Sequence, residues 1–409
     1  MWRARYYDPA DGPRRQHERA FGTKKEAERW LTTQRAALQR GAHIDPRDSR
    51  QRFGELIEEW RGSAVNLRPS TRASYESIID NHVAPRWESV QVSAVSPGAI
   101  QDWVNQPAGK VHANTVKRIY SVLRVILKVG VARRYLNSNP CDSVRLPRPP
   151  AVTADERIVL TAQEVKQLAD AFEPRYRVAI YTAALTGLRA GELWGLRGRD
   201  VDLEHSLLRV EQTVKEVGGR IVIGLPKTGK KRRATLPASL VEMLKGHIER
   251  EGVGPNDFVF TSREGTPMRH PNFRKRIFRP TVTRGTCTKC GQRSKRAVAV
   301  CSKCGSASLE YVLPPAKHGF RFHDLRHTCA SLLIEIGAHP KMIQEQLGHQ
   351  DIQTTFNTYG HLLPSAHEAL AAKLDAFITS QPEITPPAGP VHEGDLELAT
   401  AEAPEERAM

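Results

Sequence analysis

A proline-rich stretch, "RLPRPPAVTADE" at residues 145–156, separates two parts of the chain that have different patterns. Proline fixes φ and lacks an amide donor, so such a stretch ends helices and stays outside sheet interiors. Before it, residues 50–147 repeat apolar side chains at spacings of three and four, which predicts a helical domain. Helix starts are predicted there at Ser70, at Ser96 and at Asn114. After it, residues 153–380 combine helical and short strand patterns. These include two strands, "GRIVIGLP" and "RRATLP", on either side of the hairpin turn "KTGKK", and a last helix at 364–378. We therefore predict a multidomain chain, mainly α-helical with small β-sheets, whose largest domain is of the α+β class.

The two ends of the chain form separate segments. Residues 1–45 contain two strand patterns, "WRARYY" and "RRQHERAF", and a helical pattern that Thr23 and Glu26 can cap. We predict a small sheet-plus-helix module there, with basic strands that either lie in a DNA groove or form a solvated surface. Residues 381–409 are rich in proline and hold seven acidic residues and one arginine. That composition predicts a disordered acidic tail.

The net charge indicates the kind of partner. Lys and Arg number 61 against 45 for Asp and Glu, which gives +16 at pH 7. Such an excess favours a polyanionic partner, either nucleic acid or an acidic membrane surface. No stretch approaches the roughly 18 apolar residues of a spanning helix. We therefore expect a soluble, cytoplasmic and nucleoid-associated protein that binds DNA and no membrane.

Four cysteines form two closely spaced pairs. Cys287 and Cys290 make one CxxC, and Cys301 and Cys304 make a second one, ten residues further on. Glycine follows each pair, as in the tight turns of zinc ribbons. Four thiolates at this spacing can close around Zn²⁺, which predicts a structural zinc site in an insertion at 285–313. An iron–sulfur site and a redox pair remain alternatives.

Six residues from separate stretches of the 153–380 domain suit a phosphodiester substrate. Guanidinium groups can grip two phosphate oxygens at once, imidazoles can hold or move protons, and a phenol near cations can act as a nucleophile. A lysine on a turn can protonate the leaving 5′-oxygen. The candidates are Arg189, Lys227, His323, Arg326, His349 and Tyr359. No cluster of Asp and Glu suggests Mg²⁺ sites, which metal-dependent nucleases need.

These residues lie in the stretches "TGLRAGEL", "PKTGKKRRATLP" and "RFHDLRHTCASLLIEIGAHPKMIQEQLGHQDIQTTFNTYGHLLP". Their order and spacing resemble the tyrosine recombinases, specifically the phage-type integrases, over about residues 50–380. The resemblance implies a catalytic set of the six candidates, with Glu192 helping to orient Arg189. It also implies that residues 50–147 are a SAM-like core-binding domain and that residues 1–45 bind arm-type DNA sites.

The resemblance further implies a reaction and its partners. Strand cleavage would leave a 3′-phosphotyrosyl link and a free 5′-hydroxyl that attacks a partner strand, without ATP, a metal or another catalytic cofactor. The expected partners are double-stranded DNA with core and arm attachment sites and three further copies of the chain in a tetramer. An excision factor and a DNA-bending host protein are also expected. Two alternatives remain at this point: a type IB topoisomerase-like enzyme and a non-catalytic, zinc-containing DNA-binding regulator.

Overall fold

The structure is a computed structural model, and it describes most of the 409 residues. The described residues are 1–8, 15–40, 43, 50–106, 111–147, 158–226, 229, 231–294, 297–359 and 376. Within them the chain is mostly helical, and its strands form four small sheets. The predicted fold class, multidomain and mainly α with small sheets, is confirmed. None of the helices described has both the length and the apolar character that crossing a membrane demands.

The N-terminal module consists of two strands and one helix. Strand β1 (Trp2–Asp8) pairs antiparallel with β2 (Arg15–Phe21), and α1 (Lys24–Gln39) follows. Alternation along β1 turns Ala4 and Tyr6 inward, where both are buried, and the Tyr6 ring meets Trp30 of α1 edge-on at 5.3 Å. The predicted capping box of Thr23 and Glu26 is present.

A second group of helices has its own hydrophobic core. Its elements are α2 (Phe53–Ser63), α3 (Pro69–Ile78), a short π-helix (Ile79–Val83), α4 (Ala84–Trp87), α5 (Pro97–Asn105) and α6 (Ala113–Ala132). Ser96 caps α5, as predicted. Two other predicted starts were wrong: α3 begins at Pro69 rather than after Ser70, and His112 caps α6 in place of Asn114.

The elements after residue 157 form a mixed helical and stranded unit. It opens with α7 (Ala162–Asp170), α8 (Pro174–Thr186) and α9 (Ala190–Leu193). Two small sheets follow, one of β3 (Val201–Asp202), β4 (Leu207–Val210) and β7 (Arg232–Thr235), the other of β5 (Thr213–Val217) and β6 (Arg220–Gly224). The sequence pattern suggested a hairpin between "GRIVIGLP" and "RRATLP". That pairing was wrong, because β6 turns back on β5 through Gly218 and Gly219 while β7 joins β4.

The remainder of this unit supplies the helices that carry the later motifs. These are α10 (Ala238–Glu251), α11 (His270–Phe273), a short π-helix (Arg274–Phe278), α12 (Arg279–Val282), α13 (Asp324–Glu335), α14 (Pro340–Leu347) and α15 (Ile352–Tyr359). Between α12 and α13, β8 (Gly285–Cys287) pairs with β9 (Leu309–Tyr311). The predicted helix at 364–378 lies almost wholly outside the described residues, and the predicted tail at 381–409 lies entirely outside them.

Candidate active site

The turn that leads to Arg189 is fixed by a glycine. Gly187 follows α8 in the left-handed region, at φ 64°, and a Cβ there would lie 2.3 Å from Leu347 Cδ2. Its carbonyl accepts a hydrogen bond of 2.6 Å from Arg326 Nη1. Because a side chain would be both strained and blocked, glycine allows this turn to sit against α13 and α14. The segments that carry Arg189 and Arg326 are thereby brought together.

A buried carboxylate joins two arginines at this turn. Glu192 is 1% exposed and accepts hydrogen bonds from Arg189 Nη1 at 3.0 Å and from Arg232 Nη1 and Nη2 at 3.0 and 2.7 Å. Burial opposes ionisation, but the hydrogen bonds and charge of Arg232, together with those of Arg189, outweigh it and lower the pKa of Glu192 to about 2. The carboxylate is therefore ionised and holds both guanidinium groups in place.

Arg232 was not among the predicted site residues. It lies on β7 and faces the same side as the buried Ala234, as the two-residue period of a strand requires. A Cβ at Gly348, which has φ 68°, would lie 2.4 Å from Arg232 Cδ. Strand alternation within "RRATLP" was the signal that could have separated Arg232 from its basic neighbours.

Arg326 is a buried cation whose hydrogen bonds are incomplete. It is 4% exposed, and Nη2 has no hydrogen-bond partner among the described residues. Burial, followed by the charges of Arg189 and Arg232, lowers the pKa of Arg326 to about 10, so the group is still charged at pH 7. A buried donor without a partner is costly, so this nitrogen suits an oxyanion ligand.

Tyr359 is packed inside the same cluster. It ends α15, is 2% exposed and lies in an apolar group that includes Cys329 and Leu347. Its hydroxyl lies 2.8 Å from Nδ1 of His327, and its ring lies nearly parallel to that of His349 at a centroid distance of 6.4 Å. The contact with His327 was not foreseen, because the position of this residue next to Arg326 in the sequence is equally compatible with a packing or capping role.

Two of the predicted histidines border the arginines. His349 Nδ1 lies 2.9 Å from Thr355 Oγ1, and burial together with the charge of Arg326 lowers the pKa of His349 to about 4. His323, at the start of α13, is exposed, but partial desolvation of its ring and the charge of the nearby Arg326 also lower its pKa. Both imidazoles are therefore neutral near pH 7 and able to accept or donate a hydrogen bond.

The structure thus gathers Arg189, His323, Arg326, His349 and Tyr359 from four separate stretches of the chain. The charges of Arg189 and Arg326 act on both histidines, and Tyr359 and Arg326 interact electrostatically. Lys227, the sixth predicted residue, lies outside the described residues. A cluster of charged guanidiniums, neutral imidazoles and a buried phenol can bind a phosphodiester and transfer it to oxygen.

The four cysteines of the two CxxC pairs come together at a separate place. Their Sγ atoms all lie within 4.8 Å of one another, with Cys287 3.6 Å from Cys304 and Cys290 3.6 Å from Cys301. Zinc–thiolate bonds of about 2.3 Å place the sulfurs of a tetrahedral site about 3.8 Å apart, so the cluster fits Zn²⁺. The glycines after the pairs, Gly291 and Gly305, have φ of 71° and 69°.

Comparison with known proteins identifies the family. The model of the "Phage integrase family" matches residues 158–365, just over half of the chain, and that of the "Phage integrase, N-terminal SAM-like domain" matches 52–106. The integrase of Mycobacterium phage L5 is 28% identical over 360 residues, covering 85% of this chain and 87% of that relative. A "Tyrosine recombinase XerC-like" protein of Caldanaerobacter subterraneus subsp. tengcongensis is 28% identical over 390 residues, covering 87% of this chain and 90% of that relative.

Solved structures share the fold. The Tn1549 transposon integrase in complex with transposon right end DNA matches with a TM-score of 0.63 at 19% identity, covering 80% of this chain and 100% of that one. A lambda integrase dimer bound to a COC′ core site matches with a TM-score of 0.56, covering 75% of this chain and 95% of that one. The chain therefore belongs to the phage integrase family, and it is a site-specific DNA recombinase of the tyrosine recombinase type.

Proposed function

We propose that Tyr359 is the nucleophile of this recombinase and that Arg189 and Arg326 hold the scissile phosphodiester. The observation that carries the proposal is the buried Tyr359 ring beside Arg326, whose Nη2 lacks a partner among the described residues. Each guanidinium can donate to a non-bridging oxygen and offset the charge that develops on five-coordinate phosphorus. Glu192 accepts hydrogen bonds from both Arg189 and Arg232, and these contacts hold Arg189 in position.

The bonds exchanged in this step are simple. The Tyr359 oxygen forms a bond to phosphorus as the bond from phosphorus to the 5′-oxygen breaks, and the phenolic proton leaves. Lys227 protonates the departing 5′-oxygen, while His323 and His349 hydrogen-bond to the phosphate oxygens. The product is a 3′-phosphotyrosyl link and a free 5′-hydroxyl. Attack by a 5′-hydroxyl from a partner duplex then completes strand exchange. The attacking hydroxyl gives its proton to Lys227, and the tyrosine oxygen regains its own proton as it leaves.

The division of labour along the chain belongs to the same proposal. Residues 1–45 bind arm sites, residues 50–147 bind the core site, and residues 153–380 carry the chemistry. Residues 381–409 form an acidic tail. A tetramer on two duplexes performs recombination in the cytoplasm at the nucleoid, helped by an excision factor and a DNA-bending host protein. The related solved structures include a lambda integrase tetramer bound to a Holliday junction, with a TM-score of 0.54, which supports the proposed tetramer on DNA.

A nicked duplex that carries candidate core sites tests the chemistry. Cleavage releases the short strand between the cleavage site and the nick. Its free 5′-hydroxyl diffuses away, so the covalent intermediate is trapped. Wild-type protein should form an adduct that mass spectrometry places on Tyr359, and Tyr359→Phe should bind the same DNA without an adduct. An adduct on another residue, or cleavage by the phenylalanine variant, would refute the assignment. Strand exchange between two duplexes separates a recombinase from a topoisomerase-like enzyme, which relaxes a single duplex.

We further propose that Cys287, Cys290, Cys301 and Cys304 hold a structural zinc ion. Four thiolates fill a tetrahedral zinc completely, so the metal stabilises the insertion and has no open position for catalysis. Metal analysis of purified protein should find one zinc per chain, and Cys301→Ser should lose it. Cys141→Ala, a buried cysteine outside the cluster, should keep it. Purified protein in which these four cysteines are reduced, and which still contains no zinc after zinc is supplied in the buffer, would contradict this assignment.

A further inference from the structure

His327 contacts the reacting oxygen of the proposed nucleophile directly. Its Nδ1 atom lies 2.8 Å from the Tyr359 hydroxyl, a normal hydrogen-bond distance. The ring also meets His323 at right angles, with centroids 5.3 Å apart, and lies 5.8 Å from the Tyr359 ring. His327 therefore connects the nucleophile to a histidine at the phosphate side of the site.

Packing alone does not explain an imidazole at this place. His327 lies on α13 next to the buried Arg326 and Thr328, and two apolar residues of the same helix, Cys329 and Ala330, belong to the hydrophobic cluster that contains Tyr359. His327 is partly buried, and an apolar side chain would pack here without the cost of partly desolvating a polar ring. The hydrogen bond with the phenol is what distinguishes histidine from such a side chain.

We propose that His327 accepts the phenolic proton of Tyr359 during cleavage. As the Tyr359 oxygen bonds to phosphorus, its proton moves to Nδ1, and the 5′-oxygen leaves with a proton from Lys227. In the rejoining step the 5′-hydroxyl attacks phosphorus and gives its proton to Lys227, and the tyrosine oxygen leaves and takes its proton back from His327. No metal or other reactant is needed. This inference rests on the proposed function, because it requires Tyr359 to be the nucleophile.

The surrounding charges make the transfer depend on bound DNA. Burial and the charges of Arg326, Arg189 and Arg232 lower the pKa of His349, whose ring lies nearly parallel to the Tyr359 ring, so the site disfavours an additional positive charge beside the phenol while it holds no anion. A phosphodiester adds one negative charge, and its transition state adds a second one. These charges favour the protonated imidazole. The nucleophile is thus activated when the scissile phosphate arrives rather than before.

Substrates with two different leaving groups test the proton acceptor. A duplex with sulfur at the bridging 5′-position needs no acid to expel the leaving group, because a thiolate is stable near pH 7. His327→Asn keeps a hydrogen-bonding side chain near the position of Nδ1 but cannot take a proton. It should slow cleavage by about 100-fold or more on both the oxygen and the sulfur substrate. Lys227→Ala should slow cleavage of the oxygen substrate only.

Controls separate this role from a structural one. His327→Asn should match wild type in DNA affinity and in unfolding midpoint. His339→Asn, a change at the exposed cap of α14 where the side chain accepts from Lys341 N, should leave cleavage unchanged. Cleavage by His327→Asn at the wild-type rate would overturn the inference. A faster rate would also overturn it, because the contact would then restrain the nucleophile. If wild type itself forms no adduct at Tyr359, the proposed function fails first.

Discussion

Replacement of Glu192 by glutamine tests the electrostatic framework of the site. The change keeps the shape of the side chain and removes the charge that Arg189 and Arg232 share. Lowering of the pKa from 4.5 to about 2 corresponds to roughly 3 kcal/mol of folding free energy, at about 1.4 kcal/mol for each tenfold change in proton affinity. Loss of one partner from a buried ion pair costs about 3–5 kcal/mol, which agrees. We therefore expect Glu192→Gln to lower the free energy of unfolding by about 3 kcal/mol near pH 7.

The dependence on pH makes this prediction specific. Because the pKa of Glu192 is lower in the folded protein than in the unfolded chain, its contribution is complete above about pH 4.5 and is lost as the pH falls towards 2. The difference between wild type and variant should therefore shrink between pH 6 and pH 3. Urea unfolding of the full chain, followed by tryptophan fluorescence, measures it; Trp194 is buried directly after α9.

A matched surface substitution provides the control. Glu211 pairs with Lys231 at 3.0 Å, but both side chains are exposed, so Glu211→Gln should change the free energy of unfolding by less than about 1 kcal/mol. A loss for Glu192→Gln no larger than the loss for Glu211→Gln would refute the reasoning. A loss of equal size at pH 6 and pH 3 would also refute it, because the carboxylate charge would then not be the cause.

Three further changes examine neighbouring parts of the site. Gly348→Ala should destabilise the protein by about 1–3 kcal/mol more than Gly252→Ala in thermal unfolding, because both glycines have positive φ but only at Gly348 would the new Cβ meet Arg232. Arg232→Lys should slow DNA cleavage about tenfold with little change in DNA affinity, since one ammonium cannot reproduce the two-point contact with Glu192; equal cleavage rates would contradict this. The pKa of His349 is lowered from 6.5 to about 4 in the folded protein, so the unfolded chain binds a proton at this residue at a higher pH than the folded protein does. Stability should therefore fall as the pH drops from about 6.5 towards 4. His349→Gln should reduce that fall in acid titrations followed by circular dichroism.

Features set by neighbouring residues were predictable from the sequence. The capping box of Thr23 and Glu26 and the cap at Ser96 depend on contacts within one helical turn, and both were predicted correctly. The turn after each CxxC pair also depends on adjacent residues, and the structure has positive φ at Gly291 and Gly305, as the glycines predicted. Local chemistry alone is sufficient in each of these cases.

Features that depend on distant contacts were not predictable in the same way. The wrong hairpin between β6 and β7 arose because the sequence does not reveal that β4 is the partner of β7. Strand alternation could have separated Arg232 from its basic neighbours, but the sequence does not reveal that Arg232 contacts Glu192, which lies 40 residues earlier in the chain. The role of His327 depends on α15 returning across α13, so no spacing within α13 could reveal its contact with Tyr359.

The hydrogen bond between Arg326 and the carbonyl of Gly187 joins positions 139 residues apart. During synthesis the N-terminal parts of a chain emerge from the ribosome first and generally fold as units. The segments for which we propose DNA binding are therefore complete while Arg326 and Tyr359 are still unmade. A prematurely terminated chain has neither the closed arginine cluster nor the oxygen that we propose as the nucleophile. We therefore expect unfinished chains to be unable to cleave the chromosome.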